Sequence, residues 1–290
     1  MKNTKVFITD ISRRGGYAAV AFKGCPLRCK WCITPEARQF GQEIAFDIDS
    51  CVTCAACNRA CGVGMQKMRP SRIYDRSFCT VCGNCVPACP NGLLKLIRRE
   101  ETAGGIAEAA AKAGLPLLLT GGEPTAQPEA FRAVLECAAE LGVKTDIHTC
   151  GDYAPELNAD IVSRVRRVYF DIKELDARSF AADTRGDLGR VLANLRALDG
   201  AGKDTVIRCT LIPGVNLNAE FFASLAELLR SLENVSRTEL APYSDECIKK
   251  ARLVDIFHMP RYRVPARAEL ETAAETLRKL GTENVRVLAE

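Results

Sequence analysis

Along most of the chain, short apolar runs alternate with longer segments in which apolar residues recur at helical spacing. The short runs predict strands at 17–24, 114–122, 143–151, 166–174, 205–214 and 238–243. The longer segments predict helices at 128–142, 188–202, 218–232 and 267–281, most of them closed by a glycine. This alternation favours a parallel sheet whose strands are joined by right-handed helical crossovers.

The number of repeating units indicates the architecture. Six strands joined by helices are fewer than the eight of a closed barrel, so we expect an α/β fold built as a partial (β/α)6 barrel. Ligand sites in such folds lie at the carboxyl ends of the strands. The polar, basic segment 244–263 has neither the apolar pattern of a strand nor that of a helix. We interpret it as part of a docking surface whose five cations face a partner: Lys249, Lys250, Arg252, Arg261 and Arg263. The alternative is a solvated connector.

Composition and charge narrow the functional classes. The 290 residues carry a net charge of +4, too small to indicate nucleic-acid binding, and no apolar run is long enough for a transmembrane helix. The first residues lack the apolar stretch of a signal peptide, so we expect a cytoplasmic protein. In a reducing compartment, the 15 cysteines indicate metal binding rather than disulfides.

Eight of the cysteines form two copies of the spacing C-x2-C-x2-C-x3-C, at 51–61 and 79–89. This is the spacing of bacterial ferredoxins, in which three thiolates hold one 4Fe-4S cluster and the fourth ligates the neighbouring cluster. The assignment to a first cluster is Cys51, Cys54, Cys57 and Cys89. The assignment to a second cluster is Cys61, Cys79, Cys82 and Cys85. The alternative is a pair of zinc sites, which normally use C-x2-C pairs instead.

The two quartets divide the chain into three parts. Residues 1–46 are predicted to begin the barrel, 47–99 to form a ferredoxin-like insert, and 100–290 to complete the barrel. Two adjacent clusters carry single electrons, so the insert alone would be an electron-transfer module. Arg69, Arg72 and Arg76 could attract an acidic electron donor, with solvated surface charge as the alternative.

A third group, Cys25, Cys29 and Cys32, has the spacing C-x3-C-x2-C and offers only three thiolates. Three thiolates serve three irons of a cubane and leave the fourth iron open to another ligand. With Trp31 before the last cysteine, the motif resembles the radical S-adenosylmethionine (SAM) superfamily, the alternative being a chance group of buried cysteines. The resemblance implies that SAM chelates the open iron and is cleaved by an electron to methionine and a 5′-deoxyadenosyl radical.

Four further segments follow the trio at predicted strand ends: 120–124 (TGGEP), 148–151 (HTCG), 171–173 (DIK) and 207–216 (IRCTLIPGVN). In this order they resemble the activating enzymes of glycyl radical enzymes, some of which carry a two-cluster ferredoxin insert, over about residues 17 to 240. The resemblance implies that SAM is held by Trp31, Gly121, Gly122, Glu123, Thr149, Asp171, Lys173, Arg208 and Asn216. The alternatives are a plain turn at 120–124, a surface ion pair of Asp171 with Lys173, and a strand-exposed Arg208.

The same resemblance implies the reaction, the cofactors and the partners. The radical would remove hydrogen from the α-carbon of a glycine in a partner glycyl radical enzyme, with flavodoxin or ferredoxin as the electron donor. Three 4Fe-4S clusters, one binding SAM and two auxiliary, and SAM itself are the expected cofactors. Neither nucleic acid nor a membrane is an expected partner.

Three positions depart from the family pattern. Residues 13–16 read RRGG where the family has D-G-P-G, Thr34 replaces an asparagine, and Ser244 replaces a histidine. Because we expect these positions near the substrate, the alternative function is radical SAM chemistry on a different peptide or a small molecule. A third alternative is an electron carrier with a degenerate barrel.

The remaining cysteines have structural interpretations. Cys137 in a helix and Cys209 in a strand are expected in the core. Cys150 is interpreted as structural, with contact to ligand or substrate as the alternative. Cys247 is interpreted as solvent-facing, with a radical relay as the alternative.

Overall fold

The computed structural model describes residues 1–63 and 79–288, and Arg69, Arg72 and Arg76 lie outside the described residues. The strands are β1 Lys5–Arg14, β2 Tyr17–Phe22, β3 Glu43–Phe46, β4 Leu94–Ile97, β5 Arg99–Thr102, β6 Leu117–Gly121, β7 Thr145–Thr149, β8 Arg167–Asp171, β9 Thr205–Leu211, β10 Val235–Pro242 and β11 Val285–Val287. The α-helices are α1 Ala56–Arg59, α2 Cys85–Ala88, α3 Ala103–Ala113, α4 Pro128–Glu140, α5 Asn158–Arg164, α6 Ala177–Thr184, α7 Leu188–Gly200, α8 Ala219–Arg230, α9 Glu246–Leu253 and α10 Arg267–Lys279.

Nine of the described strands form one sheet in the order β11-β10-β9-β8-β7-β6-β2-β1-β5. The strands β2 and β6 to β11 are paired in parallel, whereas β1 pairs antiparallel with both β2 and β5. The six predicted strands are β2 and β6 to β10, and the four predicted helices are α4, α7, α8 and α10, so these predictions are confirmed. Within the described residues the end strands β5 and β11 do not pair with each other, so the sheet is open.

The sheet is strongly curved. Tyr17 on β2 and Tyr169 on β8 bring their hydroxyl oxygens to 3.4 Å, although β6 and β7 lie between the two strands. Three strand spacings would separate β2 and β8 by about 14 Å in a flat sheet. Side chains that meet across this distance indicate a concave face, as in part of a barrel, and that face encloses a small apolar group that includes Ala19, Leu118 and Val206.

The crossover helices cover the outer face of the sheet. In α4, Phe131, Val134, Leu135 and Cys137 are buried, which gives the helix an apolar stripe toward the core, where it contacts β1. Cys137 and Cys209 are both in this core, as predicted. Among the helices in residues 1–63 and 79–288, none is long and apolar enough to cross a membrane.

The hairpin of β1 and β2 was not predicted, and it moves residues 13–16 away from the expected site. Gly15 and Gly16 have φ values of 56° and 81° and close a two-residue turn between the paired Arg14 and Tyr17. A Gly-Gly pair between two strand-like runs is the sequence signal for such a turn. The turn precedes β2, whereas the cysteine trio follows β2, so the length of this strand, about 20 Å, separates them. Residues 13–16 therefore lie at the other end of β2 from the cysteine trio, and not beside it as expected.

A separate two-stranded sheet, which we call the β3–β4 ribbon, pairs Glu43–Phe46 with Leu94–Ile97 in antiparallel fashion. The ribbon begins and ends the part of the chain that contains both cysteine quartets. Ile44, Phe46 and Leu94 of the ribbon form a small apolar cluster with Cys57 and Cys85, apart from the core of the large sheet.

Candidate active site

The cysteine trio lies in the irregular loop that follows β2, at the carboxyl end of the parallel strands. One apolar cluster contains Cys25, Cys29 and Cys32 together with Cys150, which directly follows β7. Trp31 belongs to the same cluster and is only 4% exposed. The trio therefore packs in the same cluster as Cys150 and Cys247, two cysteines from other parts of the chain.

Backbone hydrogen bonds to other elements hold this loop in place. The Gly24 N–H donates to the Ala37 carbonyl at 2.7 Å, and the Arg28 N–H donates to the Thr184 carbonyl at 2.6 Å. Gly24 has a φ of 103°, and a side chain there would collide with the Phe40 ring. Only glycine fits this conformation and this close approach, so the residue before the first cysteine is set by local geometry.

The thiols of the trio have unequal electrostatic environments. Burial raises the pKa of Cys29 to about 12 and that of Cys32 to about 11. The pKa of Cys25 is lowered, chiefly by a hydrogen bond with the Cys150 thiol. Buried thiols with raised pKa values stay protonated at neutral pH, so iron binding would have to displace their protons.

Glu123 is fully buried at the carboxyl end of β6. Its Oε1 accepts from the Thr125 hydroxyl at 2.7 Å, and its Oε2 accepts from the Cys150 N–H at 2.7 Å. The Thr149 hydroxyl donates to both carboxylate oxygens at 3.1 Å. Burial raises the pKa of Glu123, and the hydrogen bonds from Thr125 and Cys150 oppose that effect. The carboxylate thus connects the ends of β6 and β7 beside the cysteine trio.

Gly121 lies against the backbone at the end of β2, and Gly122 lies against the backbone of the cysteine loop. A side chain at Gly121, which has a φ of 106°, would collide with Phe22, and one at Gly122 would collide with Gly24. The Thr34 hydroxyl donates to the Gly121 carbonyl at 3.0 Å. These glycines therefore allow close packing of two loops of the chain itself, and Thr34 contributes a direct link between them.

Asp171 and Lys173 form an ion pair at the end of β8, with 3.3 Å between Asp171 Oδ2 and Lys173 Nζ. Burial alone would lower the pKa of Lys173, but Asp171 and then the Cys29 thiol raise it above its ordinary value. Burial would raise the pKa of Asp171, but Lys173 and Arg208 lower it. Both groups are therefore charged at neutral pH, and the ammonium lies near the cysteine trio.

Arg208 and His148 meet on the concave face, and this contact was not predicted. Arg208 Nη1 lies 2.9 Å from His148 Nδ1, and Arg208 Nε lies 3.5 Å from Glu239 Oε2. Burial, followed by the charge of Arg208, lowers the pKa of His148 to about 4. The imidazole is therefore neutral at neutral pH, and its Nδ1 accepts from Arg208. The sequence feature that could have identified His148 as a site residue is its position directly before Thr149 at a strand end.

Asn216 is fully buried, and its side-chain amide forms hydrogen bonds with backbone groups. Its Nδ2 donates to the carbonyls of Lys173 and Thr210, both at 2.9 Å, and its Oδ1 accepts from the Ile212 N–H at 2.8 Å. The amide therefore fixes the turn after β9 to the end of β8, next to Lys173.

The two cysteine quartets have matching local geometry. The Thr53 N–H donates to Cys51 Sγ at 3.4 Å, and the Val81 N–H donates to Cys79 Sγ at the same distance. Thr53 and Val81 both have positive φ values, 58° and 55°. Hydrogen bonds from backbone N–H groups to cysteine sulfurs are a means by which proteins tune iron–sulfur clusters.

Five cysteines drawn from both quartets pack in one apolar cluster: Cys51, Cys57, Cys79, Cys85 and Cys89. Cys57 and Cys85 are buried in the cluster with the β3–β4 ribbon, whereas Cys54 and Cys82 are exposed. One pocket in this region is lined by the four cysteines that the spacing assigns to the first cluster: Cys51, Cys54, Cys57 and Cys89. In the part of the chain that the structure describes, no three His, Cys, Asp or Glu side chains converge as they would around a single metal ion.

The segment after β10 contains a helix that was not predicted. Residues Glu246–Leu253 form α9, with Cys247 and Ala251 on its buried side. Cys247 is 2% exposed, and its Sγ lies 3.4 Å from the Tyr243 hydroxyl. The interpretation of Cys247 as solvent-facing is therefore wrong. Ser244 is exposed and accepts from the Glu246 N–H at 3.4 Å, at the start of this helix.

Two of the five cations expected to face a partner form ion pairs within the chain. Arg252 Nη2 lies 2.6 Å from Asp49 Oδ1, and Arg263 makes two hydrogen bonds of 2.6 and 2.7 Å with Glu269. The first pair joins α9 to the segment that leads into the first quartet. Lys249 remains exposed on the same helix.

Comparison with known proteins places these features in one family. The model of the radical SAM superfamily matches residues 20–226, which include the cysteine trio and the carboxyl ends of β2, β6, β7, β8 and β9. The chain belongs to the radical SAM superfamily. Membership implies a 4Fe-4S cluster and SAM, and it makes the chain an enzyme of this superfamily.

Relatives of known activity refine this membership. The isethionate sulfite-lyase activating enzyme of Nitratidesulfovibrio vulgaris is 32% identical over 91% of this chain and 89% of its own length. The choline trimethylamine-lyase activating enzyme of Oleidesulfovibrio alaskensis is 32% identical over 77% of each chain. Within the radical SAM superfamily, the chain is thus a homologue of the activating enzymes of glycyl radical enzymes.

A solved structure supports the fold. A domain of pyruvate-formate lyase-activating enzyme from Bacteroides vulgatus aligns with a TM-score of 0.51 at 20% identity, over 60% of this chain and 99% of that domain. At this identity the likeness establishes the shared architecture. It agrees with the open α/β sheet described above.

The residues around the trio fit the cofactors of a radical SAM enzyme. Three cysteines belong to one apolar cluster, and three thiolates suit three of the four irons of a cubane. The carboxylate of Glu123 and the ammonium of Lys173 lie beside the trio and supply both signs of charge that the amino and carboxylate groups of SAM require. Arg208 Nε is buried and makes no hydrogen bond among the described residues, although Glu239 Oε2 lies 3.5 Å from it.

Proposed function

We propose that this radical SAM enzyme is an activase that removes a hydrogen atom from the α-carbon of a glycine in a partner glycyl radical enzyme. The observation that carries the proposal is the single apolar cluster that contains Cys25, Cys29 and Cys32, with the charges of Glu123 and Lys173 close enough to shift the pKa of Cys25. The names of the relatives support the partner class, because they are activating enzymes of lyases. When bound, the cluster and SAM supply the 5′-deoxyadenosyl radical.

The chain's own residues have distinct roles in this proposal. Cys25, Cys29 and Cys32 hold the cluster, and Trp31 contacts SAM. The Gly121 and Gly122 backbone and the Glu123 carboxylate receive the amino group of SAM. The other proposed SAM contacts are Thr149, Asp171, Lys173, Arg208 and Asn216.

We also propose two auxiliary 4Fe-4S clusters in a ferredoxin-like insert at 47–99, between barrel parts at 1–46 and 100–290. The matching N–H···S hydrogen bonds of Cys51 and Cys79 and the pocket lined by four cysteines support the first assignment in particular. The proposed ligands are Cys51, Cys54, Cys57 and Cys89 for one cluster and Cys61, Cys79, Cys82 and Cys85 for the other. Because Cys54 and Cys82 are exposed, a flavodoxin or ferredoxin could pass electrons to the clusters at this surface.

Product analysis tests the proposal. Reduced, iron-loaded protein with SAM should give methionine and 5′-deoxyadenosine, and adding the partner should leave an organic radical on the partner. Cleavage of SAM without any radical on a glycyl radical enzyme, but with conversion of another peptide or a small metabolite, would favour the alternative radical SAM function. Absence of SAM cleavage in protein with a full iron content would favour an electron carrier.

A further inference from the structure

Trp31 is the single tryptophan of the chain, and a tyrosine from the far end of the sequence packs against it. The rings of Trp31 and Tyr262 are 6.3 Å apart between centroids and are inclined by 77°. Tyr262 also packs edge-to-face on Tyr243, with 5.7 Å between centroids and an angle of 84°. One ring thus lies between a ring of the cysteine loop and a ring that follows β10.

Tyr243 is the firmly anchored ring of the three. It is fully buried, and its N–H donates to the Leu211 carbonyl at 3.2 Å, which ties it to the end of β9. Its hydroxyl contacts the Cys247 thiol at 3.4 Å, which ties it to α9. Tyr243 therefore cannot move without disturbing both elements.

The chain after Tyr262 is anchored as well. Arg263 makes two hydrogen bonds with the Glu269 carboxylate, and the Ala266 N–H donates to Glu269 Oε2 at 2.8 Å. These contacts attach residues 263–266 to the first turn of α10. We call the irregular segment 254–266 the clasp. It is held at two places: residues 263–266 are attached to α10, and the Tyr262 ring packs on Tyr243.

Trp31 lies in a segment, 25–34, that forms neither helix nor strand. Backbone hydrogen bonds, such as that from the Lys30 N–H to the Asp183 carbonyl at 3.0 Å, hold the main chain there, but they do not restrain the indole ring. An edge-to-face aromatic pair restricts the ring and adds stabilisation beyond burial.

We propose that Tyr262 is a positioning residue that holds Trp31 in the orientation that binds SAM. The inference rests on the proposed function, in which Trp31 contacts SAM. It assigns a role to the clasp, a segment that the sequence pattern leaves without an element. If Tyr262 were purely structural, replacing it would lower stability but would change neither the environment of Trp31 nor the affinity for SAM.

The tryptophan emission tests the proposal directly, because Trp31 is the only source of it. The variants are Tyr262→Ala, Tyr262→Phe and, as a control on the same segment, Phe257→Ala, whose side chain is 50% exposed. Each full-length protein is loaded with iron to equal content. Acrylamide quenching of the tryptophan emission and the dissociation constant for SAM are then measured.

Tyr262→Ala should raise the quenching constant severalfold and weaken SAM binding by about three- to tenfold, the size expected for the loss of one aromatic pair. Tyr262→Phe and Phe257→Ala should match the unaltered protein in both measurements. Unchanged quenching in Tyr262→Ala would overturn the proposal, and so would increased quenching with unchanged SAM affinity. If Tyr262→Ala fails to fold, Tyr262→Leu replaces it, with the same expected and contradicting results.

The two proposals fail in different ways. If the unaltered protein with full iron content does not cleave SAM, the proposed function fails, yet the quenching comparison still decides whether Tyr262 holds Trp31. If SAM is cleaved and Trp31→Ala binds SAM normally, the activase function stands and the role assigned to Tyr262 is overturned.

Discussion

Lys23 and Glu43 form a buried ion pair, with 2.6 Å between Lys23 Nζ and Glu43 Oε2. Lys23 directly follows β2 and precedes the cysteine loop, whereas Glu43 is the first residue of β3. The Lys23 side chain is fully buried and also donates to the Glu36 carbonyl at 2.9 Å. One ammonium thus joins the large sheet, the cysteine loop and the β3–β4 ribbon.

Glu43→Gln should destabilise the protein by about 3 kcal/mol, because the Lys23 charge would remain buried without its anionic partner. Denaturant unfolding of the full chain under anaerobic conditions measures the change. Combining Glu43→Gln with Lys23→Met should recover most of the loss, since no unpaired charge then remains. A loss below about 1 kcal/mol for Glu43→Gln would mean that the Glu36 carbonyl alone satisfies Lys23.

Features encoded locally were predictable from the sequence. The run Leu117–Leu119 indicated a strand because strands buried on both faces of a parallel sheet are continuously apolar. Spacing likewise identified the cysteine motifs. In contrast, α9 buries only Cys247 and Ala251, and β1 buries only Val6 and Ile8, so neither has a strong pattern.

The strand-end segments were expected to meet at one site, but the individual side-chain contacts between distant parts of the chain were not predictable. Cys150 joins the trio because β7 ends beside the cysteine loop, and no spacing in the sequence reports that proximity. The contact of Tyr262 with Trp31 also depends on where an irregular segment is anchored. The pairing of Arg208 with His148 required knowing that β7 and β9 share a concave face.

Acid should destabilise the protein partly through His148. Its pKa is about 4 in the fold and about 6.5 for an unperturbed histidine, so the unfolded chain binds more protons between these values. Stability should therefore fall as pH decreases from about 6.5 to about 4, by at most about 3 kcal/mol from this residue. Denaturant unfolding at several pH values in this range should show that the free energy of unfolding falls less steeply for His148→Gln than for the unaltered protein. Equal slopes for the two proteins would contradict the assignment of a neutral, buried imidazole.

The trio should account for one third of the iron. Fully loaded protein should hold about twelve irons, four for each of three clusters. Changing Cys25, Cys29 and Cys32 together to alanine should remove about a third of the iron and abolish SAM cleavage. Cys137→Ala, a control in the core of α4, should keep the full iron content. SAM cleavage by the triple variant would refute the assignment of the trio.

The auxiliary clusters should affect electron supply more than SAM binding. Changing Cys54 and Cys82 to alanine should weaken both auxiliary clusters but leave the dissociation constant for SAM unchanged. Turnover should slow when a protein donor supplies electrons and less so with a small chemical reductant, because the small reductant can reach the remaining cluster without the insert. Complete loss of SAM binding would show instead that the insert forms part of the active site.

The transfer of deuterium from glycine tests the central claim most directly. The partner glycyl radical enzyme is grown with glycine deuterated at the α-carbon and is then incubated with the reduced enzyme and SAM. The account predicts deuterium in 5′-deoxyadenosine, and a persistent radical on the partner that lacks the doublet splitting seen with ordinary glycine. A product without deuterium, or a radical whose splitting is unchanged, would contradict the abstraction of hydrogen from a glycine.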